Sequence, residues 1–243
     1  MIDKSAMLEK IRLNIAEHGH HINLILGGTS PRFAYTIGVN QKVGVELILA
    51  GALFYSVDDV HRIINDIVVE LRAGTAWKEL NIKVDSLGIF SLRRVDASWS
   101  DMMILGALDF YNTSEISALQ IIPDQVHWTI DIPNLTKQWN AISEPVWQWL
   151  NEKWKYPVPE QSTAVTNLDA LQGEPITEAV RWEEDQWELF AGAGPDVAKE
   201  NIRVVSLGTL LGADQSLYPI TNLDVGKGLW RDSTELKWHS WGK

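Results

Sequence analysis

Three polar side chains with the chemistry of acid–base catalysis lie inside apolar segments near the start of the chain. Tyr35 and Thr36 lie in RFAYTIGV, and Glu46 enters the apolar run VELILAG. A carboxyl group that is buried without a partner costs free energy or changes its pKa, and catalytic acids and bases are tuned in this way. The structural alternative gives Glu46 a place at the mouth of its strand or a donor, such as Arg32, Tyr35 or a histidine.

The spacing of these residues favours the structural alternative. RFAYTIGV has the composition of a strand, and successive side chains of a strand point to opposite faces. Tyr35 and Thr36 therefore cannot both line one pocket by simple alternation. The sequence predicts no catalytic residue, and Tyr35, Thr36 and Glu46 remain a candidate pocket.

A group of histidines, His18, His20 and His21, is the second candidate for chemistry. Zinc requires three or four converging ligands, but His20 and His21 are adjacent and point to opposite faces if they lie on a strand. No HExxH or comparable spacing supplies the other ligands. We therefore predict no metal site and no cofactor, and we expect a structural or solvent-facing role for these histidines.

One further pair, Asp124 and His127 in PDQVHW, has the residue types of an oriented base. An Asp after a Pro is also common turn chemistry, so a turn satisfies the same residues. The sequence contains no GxSxG elbow, no phosphate-binding P-loop and no DxDxDG calcium loop. These observations favour binding over catalysis.

The periodicity of apolar residues predicts the elements that position these side chains. Helices are predicted over residues 4–18 and 57–71, the second with a capping box formed by Ser56 and Asp59. HHINLILGG and RFAYTIGV predict a hairpin, and VELILAG predicts a central strand buried on both faces. IKVDSLGIFSLRRV and ISALQIIPD predict further strands, whereas residues 101–112 fit either a helix or a strand.

Two modules are predicted, residues 1–157 and 176–243, because residues 158–175 have the polar, Pro-containing composition of a linker. A stretch with Trp139, Trp147, Trp149 and Trp154 is expected to wrap the first module. In the second module EAVRWEEDQWELFAG predicts a hairpin, IRVVSLG and GKGLWRD predict strands, and GTLLGAD predicts a helical turn or two. The predicted class is α+β, with a mixed or antiparallel sheet and flanking helices, followed by a smaller α+β module.

The composition limits the partners. The net charge is −11, and the chain has 12 Trp and no Cys. This charge has the wrong sign for a phosphate backbone, so we predict no nucleic acid partner. We also predict no membrane contact, because no run approaches the roughly 20 apolar residues of a spanning helix and the N-terminus lacks the apolar core of a signal peptide. The absence of cysteine fits a reducing compartment, and we predict a cytoplasmic location.

A family resemblance rests on the segment that contains the candidate pocket. The pattern is a glycine-ended helix, a strand, an FAYT-[IV]-G segment and PEL followed by an apolar run, and it resembles the bacterial domain-of-unknown-function family 4262. The residues that match it are Phe33, Ala34, Tyr35, Thr36, Gly38, Glu46 and Leu47, and ALQIIPD matches a second stretch. Val45 and Gly44 stand where the family usually has Pro and His, which argues against a loop histidine in the site.

The second module is similar in order to the immunity-protein-type domain of unknown function 2185. The matching residues are Trp187, Phe190, Gly192, Leu210, Leu211, Asp214 and Arg231, while Gln186 replaces the usual Gly. The resemblance implies a domain that neutralises a toxin by binding it. From Glu160 onward the chain has 14 acidic and 7 basic residues, so this half of the chain is also the more acidic one.

The leading hypothesis is a non-enzymatic binding or immunity-like protein that presents an acidic, tryptophan-containing surface to a protein partner, such as a basic toxin. Trp182, Trp187 and Trp230 are the candidate interface residues, because large aromatic residues dominate binding hot spots, although core positions suit them equally well. The rival hypothesis is an enzyme in which Glu46 acts with Tyr35 and a histidine. A small-ligand sensor is a third possibility, and the sequence leaves the oligomeric state open.

Overall fold

The computed structural model describes residues 4–26, 28–79 and 81–241 of the 243-residue chain and has an α+β fold. The chain forms two compact units, each with a six-stranded mixed sheet. The first unit takes the described parts of Met1–Ile25, Phe33–His127 and Asn134–Trp139. The second takes those of Leu26–Arg32, Trp128–Pro133 and Asn140–Lys243. The predicted class is confirmed.

The first unit is built on a sheet with one parallel pair of strands at its centre. Its strands are β1 (His21–Ile25), β2 (Phe33–Ile37), β3 (Glu46–Ala50), β4 (Asn81–Val84), β5 (Gly88–Arg94) and β6 (Ala118–Pro123). Its helices are α1 (Lys4–His18), α2 (Asn40–Val43), α3 (Val57–Arg72), α4 (Ala97–Met103) and α5 (Leu105–Tyr111). The strand order is β1-β2-β3-β6-β5-β4, in which β3 and β6 are parallel and the other neighbours antiparallel. The predicted β1–β2 hairpin is therefore present.

The centre of this sheet and helix α3 form the core that the apolar pattern predicts. All five residues of β3 are buried, as expected for a central strand. Helix α3 begins at a capping box in which Ser56 Oγ accepts from the Asp59 N–H and the Asp59 carboxylate accepts from the Ser56 N–H. Its buried residues are Val60, Ile63, Ile64, Ile67, Val68 and Leu71. Both the central strand and the helix are confirmed.

The structure departs from the sequence pattern in helix α1 and decides between the two alternatives left open for residues 101–112. Helix α1 has the predicted bounds, but only Ile11 is buried among its residues, and Met7 is 40% exposed. The ambiguous stretch 101–112 is helical and lies in α4 and α5, which are separated at Ile104. Asn112 ends α5 with a φ of 52°, a left-handed conformation that Asn tolerates. The second helix places the half-buried Tyr111 beside Glu46.

The second unit has a separate mixed sheet. Its strands are β7 (Thr163–Asn167), β8 (Glu178–Arg181), β9 (Gln186–Phe190), β10 (Ile202–Ser206), β11 (Lys227–Trp230) and β12 (His239–Ser240). Its α-helices are α6 (Leu168–Leu171) and α7 (Leu207–Ala213), and two longer 3₁₀ segments are Pro145–Leu150 and Gln215–Asn222. The order is β10-β7-β9-β8-β11-β12, with β7 and β9 parallel. The predicted β8–β9 hairpin, strands β10 and β11 and helical turn α7 are present.

The predicted linker is wrong, because residues 158–175 contain ordered elements. β7 lies inside this range and pairs with both β9 and β10, and α6 follows it directly. The strand was hidden because Thr163, Ala164, Val165 and Thr166 alternate only weakly in polarity. The predicted module boundary at residue 157 moves accordingly, since Asn140–Lys243 belongs to the second unit.

The tryptophan-rich stretch belongs to the second unit beyond Trp139, which corrects the expectation that it wraps the first. Trp147 Nε1 donates to the Asp131 carbonyl at 2.8 Å, and Trp149 Nε1 donates to the Gly208 carbonyl at 3.0 Å. Helix α7 permits this approach because a Cβ on Gly208 would lie 2.9 Å from Trp149 Nε1. The buried Trp149 indole therefore anchors Pro145–Leu150 to α7, and the Trp147 indole anchors it to Asp131.

Candidate functional site

Glu46 is the first residue of β3, and hydrogen-bond donors enclose its carboxylate. The residue is 0% exposed. Oε1 accepts from the Tyr111 hydroxyl at 2.5 Å and from the main-chain N–H groups of Gly38 and Asn40 at 2.9 and 3.1 Å. Oε2 accepts from the Thr36 hydroxyl at 2.5 Å. Both oxygens are therefore occupied by protein donors.

The local sequence explains how these donors reach the carboxylate. Gly38 has a φ of 106°, which favours glycine, and a Cβ there would lie 3.0 Å from Ile15 Cγ1. The β2–β3 ladder ends at Tyr35 and Ile48, and beyond it the Leu47 N–H donates to Thr36 Oγ1 at 2.9 Å. The Thr36 hydroxyl therefore joins the two strands where the ladder stops. Four residues of the FAYT-I-G and EL pattern form one network, namely Thr36, Gly38, Glu46 and Leu47.

This arrangement fits a structural carboxylate better than a catalytic one. Burial raises the pKa of Glu46 above its usual 4.5, and the hydrogen bonds from Thr36 and Tyr111 oppose the rise. The expected donors, Arg32, Tyr35 or a histidine, do not supply the hydrogen bonds described for it. A substrate would have to displace one of these donors to reach either oxygen.

Tyr35 makes a different set of contacts from Glu46, as the strand alternation predicts. Its hydroxyl accepts from Asn23 Nδ2 at 2.5 Å and from the Gly106 N–H at 3.2 Å. A Cβ on Gly106 would lie 2.4 Å from the Tyr35 hydroxyl, so only glycine allows this approach. Tyr35 is 2% exposed and Thr36 is 0% exposed. The candidate pocket is thus a filled part of the core.

Asp124 and His127 form the predicted pair after β6. His127 Nδ1 lies 2.6 Å from Asp124 Oδ1, and the Ile89 N–H donates to Asp124 Oδ2 at 2.8 Å. The imidazole stacks on Tyr55 with ring centroids 5.7 Å apart. Burial raises the pKa of Asp124, but the hydrogen bonds from Ile89 and His127 lower it by more, so the net shift is downward. The pair has the geometry of an oriented base and also closes the turn that begins at Asp124.

The predicted histidines lie together with a fourth. His18, His20 and His21 line one recess with His61, which α3 contributes. Among the described residues, no group of three or more His, Cys, Asp or Glu side chains is arranged to hold a metal ion. His61 could not be assigned to this group from the sequence, because it lies 40 positions after His21. Its segment shows only the apolar periodicity of a helix.

The three predicted interface tryptophans separate into two groups. Trp187 is 1% exposed, and the Arg181 guanidinium lies 5.1 Å from its ring centroid, so Trp187 is a core residue and leaves the predicted interface. Its burial follows from the ladder, which places it beside Ala164 on the inner face of the sheet. Trp182 is 54% exposed and Trp230 is 45% exposed.

The two exposed tryptophans share the outer face of the second sheet. Glu178 is the register partner of Trp230, and Glu188 is the register partner of Val180. Because Glu178, Val180 and Trp182 alternate along the chain, they share one face. The contact from Trp182 Nε1 to Glu188 Oε2, at 3.3 Å, agrees with this placement.

A third tryptophan extends this face. Gly228 is the register partner of Val180, and a Cβ on Gly228 would lie 2.6 Å from Cε3 of Trp241, which is 45% exposed. On β10, Val204 lies on the same face and is 65% exposed. We call this surface the tryptophan face, consisting of Trp182, Trp230, Trp241, Glu178, Glu188 and Val204. It combines exposed apolar area with carboxylates.

A cavity of about 500 Å³ opens next to Trp230 in the second unit. Its acidic lining residues are Asp169, Glu174, Glu178 and Asp232. Arg231 also lines it, but Arg231 is 2% exposed and its Nη2 lies 2.9 Å from Asp214 Oδ2. Because Glu178 and Trp230 belong to both features, the acidic cavity continues the tryptophan face.

Comparison with known proteins bears on the first unit. Residues 14–127 match the family model described as Domain of unknown function (DUF4262). The match covers just under half of the chain and includes the residues of the Glu46 network on β2 and β3, so the predicted resemblance of the N-terminal part is confirmed. No curated protein and no solved structure matches the chain. The likeness predicted for the second module stays a prediction.

Over the described ranges 4–26, 28–79 and 81–241, none of the helices is both long enough and apolar enough to cross a bilayer.

Proposed function

We propose that this chain is a non-enzymatic, cytoplasmic binding protein that recognises a basic protein partner through the tryptophan face of its second unit. The observation that carries the proposal is the placement of Trp182, Trp230 and Trp241 on one open sheet face with Glu178 and Glu188. Most surface tryptophans of a monomeric protein are scattered, whereas a contiguous apolar patch marks an interaction site.

The chemistry of the face supports a basic occupant. Indole rings attract Lys and Arg cations through their π faces, and carboxylates beside them add Coulombic attraction. The cavity beside Trp230 has four acidic lining residues and the volume for a long cationic side chain. The excess of acidic over basic residues in the second half steers a basic partner toward this unit.

The predicted likeness to an immunity-protein-type domain supports the same proposal. An immunity protein acts by covering its toxin, so it needs a complementary surface and no catalytic group. We include a basic toxin encoded beside this chain as the first partner to test. The absence of cysteine supports the cytoplasmic location.

The test measures binding of the purified chain to the product of the adjacent gene and, as a defined probe, to an arginine-rich peptide. Calorimetry at low and at physiological salt should give micromolar or tighter binding that weakens with salt. The variant W182A/W230A should lose at least about tenfold in affinity, because truncated aromatic hot spots cost about 2 kcal/mol or more. Ile142→Ala is the matched control, since Ile142 is 90% exposed in the same unit and is not part of the tryptophan face.

Two outcomes would reject the proposal. One is the absence of binding to both probes at micromolar concentration. The other is binding that W182A/W230A and I142A weaken equally, because the interface would then lie elsewhere.

An enzymatic alternative, distinct from the predicted one with Glu46, Tyr35 and a histidine, has one supporting observation, the Asp124–His127 pair. Its orientation matches that of a general base, with His127 Nδ1 facing a carboxylate. A pH-dependent turnover that His127→Gln abolishes, without a change in unfolding midpoint, would favour the enzyme.

A further inference from the structure

We propose that the histidine-lined recess of the first unit binds a small oxyanion of the phosphate type. The recess has a volume of about 400 Å³. Its polar lining side chains are Asn14, His18, His20, His21, His61 and Asn65. They come from three elements, α1, β1 and α3, and from the turn between α1 and β1.

The lining is selective in its chemistry. Four of the chain's six histidines line this one recess, together with two carboxamides. Each of these side chains can donate a hydrogen bond, and among the described residues no carboxylate lines the recess. In a chain with 32 acidic residues, a polar recess lined in this way is suited to an anion.

His20 supplies an independent indication of a ligand. It is 7% exposed, and its ring interacts with the Asn65 side chain and the His18 main chain, but its Nδ1 has no partner within hydrogen-bond geometry among the described residues. A buried polar atom in this state costs free energy, and such atoms are rare in native proteins. An oxyanion with a hydroxyl group, such as hydrogen phosphate, can either donate to this nitrogen or accept from its protonated form.

His21 offers a defined donor. Its Nδ1 lies 2.8 Å from Asn14 Nδ2, and an amide nitrogen can only donate, so Nδ1 accepts. The proton of the neutral imidazole is then on Nε2, where it is available to a ligand. Two cations reinforce the preference of the recess for an anion, because the positive charge of Arg72 acts on His20 and that of Lys10 acts on His21.

Metal binding is the natural alternative for four histidines, and the geometry argues against it. The described residues include no group of three or more His, Cys, Asp or Glu arranged around a common point. Zinc needs three or four converging ligands. The recess therefore presents donors around a volume rather than ligands around a point.

Binding should be linked to protonation. Burial lowers the pKa of His20 and of His21, so both are neutral near pH 7 in the free protein. A bound anion favours the imidazolium form of His20 and raises its pKa, whereas His21 acts as a neutral donor because its Nδ1 accepts from Asn14. Affinity for the anion should then increase as the pH falls toward 6. The positive charges of Lys10 and Arg72 favour anion binding. The carboxylates of Glu17, 3.7 Å from His18, and of Asp58, one turn before His61 on α3, oppose it.

The experiment titrates the full chain with inorganic phosphate and follows the ring signals of its six histidines by NMR. Sulfate serves as a second probe, because it does not titrate in this pH range. Saturable shifts should be confined to the four recess histidines, with His127 and His239 unaffected. His21→Ala and His61→Ala should each raise the dissociation constant about tenfold, as expected for one charge-assisted hydrogen bond.

The control variant is Lys83→Ala, which removes an exposed cation from β4, the strand at the opposite edge of the sheet from β1. It should bind phosphate as the unmodified chain does. The proposal is overturned if shifts do not saturate, if K83A weakens binding as much as H21A does, or if zinc binds stoichiometrically and is lost in H21A and H61A. A phosphate monoester that displaces sulfate from the recess would support it and identify the larger ligand class.

Discussion

The Tyr111 hydroxyl donates a hydrogen bond to Glu46 across a separation of 65 residues in sequence, and it also accepts one from the Gly38 N–H. This phenol therefore joins the end of α5 to the start of β3 and to the turn after β2. The Glu46 carboxylate, which belongs to the family pattern, thus connects several elements of the first unit through hydrogen bonds. Its donors come from strand β2, the turn after it and helices α2 and α5.

We expect the removal of either side-chain donor to destabilise the first unit. Tyr111→Phe leaves a buried carboxylate oxygen with fewer donors, and Thr36→Val also deprives the Leu47 N–H of its acceptor. Hydrogen bonds to a buried charge are worth about 1.5–3 kcal/mol each, so each variant should lose about 2 kcal/mol in urea unfolding. Thr75→Val, at an exposed position, is the control and should change stability by less than about 0.5 kcal/mol. Equal stability of T36V and T75V would contradict the assignment.

The titration of Glu46 gives a second prediction. Because burial raises its pKa above 4.5, the folded state holds this proton at a pH where the unfolded state has lost it. The contribution of Glu46 to stability should therefore fall as the pH rises from about 4.5 through the folded-state pKa. The side chain of Glu46→Gln cannot titrate. The unfolding free energy of the unmodified chain, relative to that of E46Q, should therefore decrease as the pH rises over this range. Urea unfolding of both proteins from pH 4 to pH 8 measures it, and a shift in the opposite direction would mean that the four hydrogen bonds outweigh burial.

Much of the first unit could be predicted because its signals are local. The apolar run after Glu46 and the capping box at Ser56 each fix an element within a few residues, and both are confirmed. Tyr111 could not be assigned as a partner of Glu46, because residues 101–112 carry no clear periodicity and the contact spans 65 positions. His61 was missed for a related reason, since only the packing of α3 brings it to His20 and His21.

In the second unit, the sequence does not distinguish buried tryptophans from exposed ones. Trp182 and Trp187 flank the same hairpin with similar neighbours, and only strand register places Trp187 inside and Trp182 outside. The residues proposed to resemble an immunity-type domain are mostly internal, because Phe190, Leu210 and Leu211 are at most 4% exposed. Such residues hold a scaffold and do not specify a partner.

The different roles of these tryptophans are measurable by stability. Trp187→Ala should cost about 3–5 kcal/mol, because it leaves a large cavity in a packed core. Trp182→Ala and Trp230→Ala should each cost about 1 kcal/mol or less, since both side chains are about half exposed. Chemical unfolding with fluorescence detection provides the comparison. A loss above about 3 kcal/mol in W230A would show that Trp230 is structural and would remove it from the proposed interface.

The last prediction concerns the buried ion pair under the acidic cavity. The Arg231 side chain is 0% exposed; its Nη2 lies 2.9 Å from Asp214 Oδ2, and its Nη1 donates to Ser216 Oγ at 2.6 Å. Burial raises the pKa of Asp214, but hydrogen bonds from Ser216 and Arg231 lower it by more. The stability from this carboxylate is therefore present above pH 3.8 and lost as the pH falls through the lower folded-state pKa.

Asp214→Asn should cost about 2–3 kcal/mol near neutral pH. This loss is below the usual range for a broken buried pair because the Asp214 side chain is 37% exposed. The double variant D214N/R231M should cost less than the sum of the two single variants, since it leaves no unpaired buried charge; strict additivity in urea unfolding would refute the coupling.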